Sequence, residues 1–291
     1  MALVTNLYSA LAQGTLWGIM ALGVYITFRI LDIADLSCDG TFALGGCISA
    51  ILITKGVNPF LTLLFALVGG MLAGLVTGWL HTKLMIPAIL AGILTMIALW
   101  SINIRVMGGP NVSLLGEDTA FTQMMRSLAT LLVGVIIGII VIAALYWFFG
   151  TEIGCALRAT GNNEFMVRAL GGNTDTSKVL GLVISNGLIS VSGALVAQNQ
   201  GYGDIKMGTG SIVIGLASIV IGEVIFGKCF NFAYILASLI GGAIVYRMII
   251  SLVLHLGLST DDMKLFTAII VALALGIPAL KTKYSHRRTP A

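Results

Sequence analysis

Apolar runs of membrane-spanning length recur along the whole chain, separated by short polar breaks. The pattern predicts spans at roughly 7–30, 32–54, 59–80, 85–104, 127–149, 179–200, 211–227, 230–254 and 263–280, each close to the about 20 residues that cross a bilayer as a helix. The fold class is therefore all-α, a polytopic membrane protein with about 8–10 transmembrane or broken helices, read as one membrane domain over residues 1–291. The opening segment "MALVTNLYSALAQGTLWG" has no Lys or Arg ahead of its apolar stretch, so it reads as a retained span and not as a signal peptide.

One break is out of character with the rest. In "DIADLSCDGTFALGG", residues 32–46, Asp32, Asp35 and Asp39 sit between apolar runs. After Asp39 only about 15 apolar residues precede Lys55, roughly 22 Å of helix against a hydrocarbon core of about 30 Å. Part of this polar stretch then lies at membrane depth, where charge and irregular backbone are tolerated only inside protein or beside a wet cavity. Ser37 and Asp39, followed by Gly40 and Thr41, read as the N-cap of a half-helix starting near residue 40. Arg29 and Asp32, three residues apart, have a simpler alternative as an ion pair at a span end.

A second segment repeats the motif. "DIKMGTGSIVIGLASIVIG", residues 204–222, aligns with "DLSCDGTFALGGCISAIL", residues 35–52, if one residue is inserted. Gly40, Thr41 and Gly45 then match Gly210, Ser211 and Gly215. In the predicted order of spans the two segments run in opposite directions, which predicts an inverted repeat with its translocation site at the two short helices. Asp35, Ser37, Asp39, Thr41, Gly210 and Ser211 are the candidates for a pathway or gate. The competing account of the match is the general preference for Gly and Ser where membrane helices touch. "GGMLAGLVTG", with Gly70, Gly74 and Gly78, is a small-residue stripe that predicts close helix packing.

The one long polar loop is "GTEIGCALRATGNNEFMVRALGGNTDTSK", residues 150–178. Asn162 or Asn163 can cap a short helix whose Phe165, Met166, Ala169 and Leu170 form an apolar stripe, stopped by Gly171 and Gly172. Such a helix either lies on lipid or docks into a cytosolic partner. For docking, the candidate contacts are Arg158, Asn162, Asn163, Glu164, Phe165, Met166, Arg168 and Leu170.

Composition confirms the class, since 58% hydrophobic and 10% charged residues with a mean hydropathy of +1.03 exclude a soluble domain. The formal charge of +4 reports orientation and not a nucleic-acid partner. With the N-terminus outside, ten of the 16 basic residues fall on the inner side, including those of the 150–178 loop and the tail "KTKYSHRR". Cys38, Cys47, Cys155 and Cys229 have neither C-x-x-C spacing nor His neighbours, and read as packing residues. No catalytic or metal site is predicted: His81, His255 and His286 are scattered, and "GGNTDTSK" lacks the spacing of a phosphate-binding loop. Glu223, near the inner end of a span and close to Lys228, is expected to be paired or exposed at the interface and not to bind substrate. Asn103, Asn186, Gln198 and Asn199 fit either a pathway or interhelical hydrogen bonds. Trp17, Trp79, Trp100 and Trp147 mostly fall near predicted span ends, as interfacial anchors do.

Two blocks carry a family resemblance. "GTLWGIMALGVYITFRILDIADLSCDGTFALGG" followed by "LRATGNNEFMVRALGGNTDTSKVLGLVISNGLISVSGALVAQNQG" resembles the permease subunits of bacterial ABC importers of the branched-chain amino acid and ribose type. Within that group "DIADLSCDGTFALGG" is similar to the tryptophan/tyrosine importer permeases. The likeness covers most of the chain and is weaker in residues 100–130 and at the C-terminus. It implies a multi-pass protein of the bacterial inner membrane, paired with a second copy or a close relative. It also implies cytosolic ATPase subunits that carry the ATP and Mg, and an extracytoplasmic substrate-binding protein. This chain itself would hold no cofactor. On the resemblance, residues 155–172 hold the coupling helix and "DLSCDGTF" is the broken-helix block near the pathway. The rival from another class is an ion-coupled secondary transporter, which has no ATPase partner.

Overall fold

Two long helices form the axis around which the others pack. In the computed structural model, which describes residues 2–121, 126–227 and 231–255 with isolated positions 265, 268, 269 and 272, helix α1 (Ala2–Tyr25) continues into a π-turn at Ile26–Ile30. After an irregular stretch come α2 (Cys38–Thr54), α3 (Pro59–Thr82), α4 (Ala88–Met107), strand β1 (Asn111–Ser113) and α5 (Arg126–Phe149). Two short helices follow, α6 (Glu152–Asn162) and α7 (Glu164–Ala169), then α8 (Thr174–Gln200) and strand β2 (Tyr202–Asp204). A 3₁₀ turn at Ile205–Gly208 leads into α9 (Ser211–Phe226) and α10 (Phe232–His255).

Among the described residues, seven helical segments are long and apolar enough to cross a membrane, and α2 is a shorter apolar helix. Eight of the predicted spans are thus present. The ninth, 263–280, apart from those four isolated positions, and the basic C-terminal tail lie outside the described residues, as do Lys228 and Cys229.

Helix ends follow local chemistry. Asn58 caps α3 by accepting from the Phe60 N–H at 2.9 Å, with Pro59 at the first helical position. Gly201, at φ 81°, ends α8 in the left-handed conformation that glycine adopts without penalty.

The axis is formed by α1 and α8, whose most apolar windows are 83% and 78% buried, against 22–39% for the other spans. They run antiparallel, pinned by hydroxyls: Ser185 donates to the Gly23 carbonyl at 2.7 Å and Ser192 to the Leu16 carbonyl at 2.8 Å. The predicted stripe on α3 packs against α8 as expected. A Cβ at Gly70 would collide with the Asn186 carbonyl, and one at Gly74 with that of Leu182. At such backbone-to-backbone contact a large side chain has nowhere to go, and overpacking costs about 1–3 kcal/mol or more. Gly74→Leu is therefore expected to lower the yield of monodisperse protein severalfold, whereas Leu75→Ala at a neighbouring exposed position leaves it unchanged; size-exclusion chromatography and thermal unfolding check both.

One element goes beyond the all-α expectation. β1 and β2 form a two-stranded antiparallel ribbon pairing Asn111 with Asp204 and Ser113 with Tyr202. Three residues per strand are too few to show an alternating pattern. The ribbon marks one end of the bundle, shared with the start of α1 and the ends of α2, α8 and α10. The opposite end carries α6, α7 and the start of α8.

Candidate functional site

The irregular stretch before α2 is built around Asp35, which is only 3% exposed. Its Oδ1 accepts from the Ser37 N–H at 2.8 Å and its Oδ2 from Asn186 Nδ2 of α8, also at 2.8 Å. Ser37 Oγ closes the group by donating to Asn186 Oδ1 at 3.2 Å. Thr41 donates to the Ser37 carbonyl at 3.0 Å within its own helix. Every polar atom of Asp35 and Ser37 named here has a partner, which is how buried polar groups are tolerated at membrane depth. In the second segment, Asp204 makes the same local turn, accepting from the Lys206 N–H at 2.6 Å. The two aspartates matched in the sequence alignment thus perform the same i to i+2 backbone turn.

Asp39 departs from the expectation. The residue before α2, Ser37, has helical angles (φ −68°, ψ −17°) and makes no side-chain cap. Asp39 does not cap α2 either. Its carboxylate crosses to α9, accepting from the Gly210 N–H at 2.9 Å, the Ser211 hydroxyl at 2.8 Å and the Ile212 N–H at 3.0 Å. The physical reason is position: Asp39 lies inside the first turn of α2, where side chains lean back toward the helix start. There it meets the unpaired N–H groups and positive dipole end of α9. The starts of α2 and α9 therefore abut, and the contacts along each helix show that they run away from one another toward opposite ends of the bundle: Ser49 of α2 meets Gln198 near the ribbon end, and Glu223 of α9 reaches Arg29 at the other.

That last pair corrects one expectation and agrees with another. Arg29 makes a two-pronged contact with Glu223, Nε to Oε1 at 3.1 Å and Nη2 to Oε2 at 3.2 Å. Arg29 thus does not pair with Asp32, while Glu223 is paired, as expected of it, with Arg29 at the end of α1; Lys228 lies outside the described residues. Asp32 itself is exposed and adopts φ 55°.

At the opposite end, α6 is capped by Thr151 and α7 by Asn163, which accepts from the Met166 N–H at 3.0 Å. Of the two asparagines offered by the sequence, Asn163 is the cap and Asn162 closes α6. On α7 the apolar stripe points away from the protein: Phe165 is 85%, Met166 50% and Leu170 80% exposed. The charged neighbours do different work. Glu164 accepts from Lys178 Nζ at 2.7 Å and pairs with Arg168 at 2.7 Å, while Arg168 also reaches Thr174 and Asp175. The hydrogen bond from Lys178 holds the Glu164 carboxyl below its ordinary range. Glu164 and Arg168 thereby brace α7 against the start of α8. Arg158 turns back onto the aromatic rings of Phe149 and Phe232, 5.1 and 4.0 Å from their centroids. Lys178, Thr174 and Asp175, the other half of the brace, carried no signal in sequence because they sit at an ordinary helix start.

Among the described residues no group of His, Cys, Asp and Glu is arranged to hold a metal ion. What the geometry contains is a two-sided helix junction inside the bundle and a braced apolar knob at one end. Residues 6–277 match the family described as the branched-chain amino acid transport system permease component. The chain belongs to this permease family. A tyrosine transport system permease protein of Clostridioides difficile (strain R20291) is 41% identical over 268 residues, covering 92% of this chain and 90% of the relative. Two solved structures share the fold: PsaBC from Streptococcus pneumoniae in complex with Fab, at TM-score 0.52 and 17% identity over 92% of this chain and 89% of that one. The other is a metal-chelate type ABC transporter in an inward-facing conformation, at TM-score 0.50 and 12% identity over 95% and 85%. The permease is thus a multi-pass membrane protein, of the inner membrane in bacteria, whose role is transport.

Proposed function

We propose that this permease is the membrane subunit of an ATP-driven importer that moves an amino acid, of the aromatic class, by alternating access. The observation that carries the reading is the exposed Phe165, Met166 and Leu170 knob on a helix braced by ion pairs, in a chain that belongs to a transport permease family. An apolar cluster on a rigid support is what a groove on a partner requires. In this reading α6 and α7 face the cytosol and seat a separate ATPase, which supplies ATP and Mg. The ribbon end receives solute from an extracytoplasmic binding protein, and a second copy completes the pathway. Asp39, Gly210 and Ser211 form the gate, because breaking one cap separates the starts of two oppositely directed helices. Asp35, Ser37 and Thr41 are the fixed anchor of that gate. The tyrosine name of the 41% identical relative supports an aromatic amino acid as the solute.

Reconstitution tests the function. L-Tyrosine uptake into proteoliposomes holding the permease, its ATPase and its binding protein is expected to follow internal ATP and to stop when the ATPase is omitted. Uptake driven by a proton or sodium gradient without the ATPase would replace this reading with that of a secondary carrier.

A further inference from the structure

The faces of α1 and α10 toward the ribbon end carry a polar stripe that the gate does not use. On α1, Asn6, Ser9 and Gln13 recur at helical spacing; on α10, Arg247, Ser251 and His255 recur every fourth residue. The helices are antiparallel, joined at the rim where Ser251 donates to the Asn6 carbonyl at 3.4 Å. These six residues line a cleft of about 460 Å³, within the range of small-molecule sites. Polar side chains on two facing spans are not a lipid-facing surface; in membrane proteins they line water, ligand or partner.

Arg247 gives the cleft its character. Its guanidinium lies 4.2 Å from the ring centroid of Trp17, and its Nε is buried with no hydrogen-bond partner among the described residues. Neither α1 nor α10 carries an acidic residue, and no ion pair among the described residues involves Arg247. The ring offsets part of the cost of burying the cation but supplies no counter-charge, and a carboxylate matches the fork geometry of a guanidinium. Trp17, in the middle of its predicted span, is 6% exposed and packs on Phe42 of α2 at 5.0 Å. Phe42 lies one turn beyond Asp39, so a contact chain runs from the cleft to the helix junction.

We infer that the cleft between α1 and α10 binds the carboxylate of a small organic anion, with Arg247 as counter-charge and the polar stripe as its rim. This rests on the transport reading, in which the anion is the solute's carboxylate entering from the ribbon end. The test uses the full permease in phosphatidylcholine nanodiscs, with Gln13→Cys as its one cysteine. A sulfonate-bearing methanethiosulfonate is expected to label it at least about tenfold faster than a trimethylammonium-bearing one, the scale of electrostatic focusing in a charged cleft. The preference should vanish in Arg247→Gln and survive in Arg247→Lys, with both variants eluting as the parent does. L-Tyrosine should slow labelling, and tyramine, which lacks the carboxylate, should not. Equal rates for the two reagents, a preference that persists in Arg247→Gln, or equal effects of L-tyrosine and tyramine would overturn the site. So would a preference abolished by added phosphatidylglycerol without protection by L-tyrosine, which assigns the anion to a lipid headgroup. Protection by L-tyrosine without ATP-dependent uptake would overturn the importer reading and leave the site standing; uptake without protection does the reverse.

Discussion

Asp39→Leu is expected to leave the permease inserted in the membrane and to abolish transport. The substitution removes the acceptor for the Gly210 and Ile212 N–H groups and for the Ser211 hydroxyl. A buried donor left unmade costs about 1–3 kcal/mol, and no water within the hydrocarbon region replaces the lost partner. The negative charge that complements the positive end of α9 is lost as well. Leucine is itself favourable in a membrane helix, so insertion of α2 does not suffer. What fails is the join between α2 and α9. Asp39→Asn keeps one acceptor oxygen and is expected to fall between the two. Uptake normalised to permease content in the membrane measures all three, and full transport by Asp39→Leu would remove the junction from the mechanism.

Truncating the knob should separate assembly from folding. Phe165→Ala together with Met166→Ala removes two exposed anchors whose loss in an interface costs about 1–3 kcal/mol each, or roughly tenfold in affinity per 1.4 kcal/mol. The brace formed by Glu164, Arg168 and Lys178 is untouched, so α7 keeps its place. Co-purification of the ATPase should therefore drop by tenfold or more, and its hydrolysis should uncouple from uptake, while permease content in the membrane stays constant. A helix that merely lay on lipid would behave differently. Tethered between α6 and α8, it would lose membrane contact without any change in ATPase binding or turnover, and that result would remove the docking assignment.

The span pattern and the paired motifs were readable in the chain because each rests on local periodicity. The seven long apolar helices and the shorter α2 follow from it, and the matching turns of Asp35 and Asp204 fall in the paired segments. The destination of the Asp39 carboxylate was not readable, since it depends on where a segment 171 residues away comes to rest. Sequence supplied both helix starts but not their meeting. The same limit applies to the intramolecular neighbours of Arg158 and Arg168, which are aromatic rings for the one and Glu164 and Asp175 for the other. Conversely, the stripe of Asn6, Ser9 and Gln13 facing Arg247, Ser251 and His255 was present at helical spacing. It was hidden because each half is diluted in an apolar helix and only packing α1 against α10 joins them.

The sidedness of α6 tests the account most directly, because the ATPase can dock only if that end is cytosolic. Cys155 on α6 is exposed while Cys38 and Cys47 are buried, so in a Cys229→Ser background a membrane-impermeant maleimide reports on α6. Cys155 is expected to be labelled in inverted vesicles and protected there by bound ATPase, with no labelling in intact cells. Labelling of Cys155 in intact cells, with no effect of the ATPase, would contradict it.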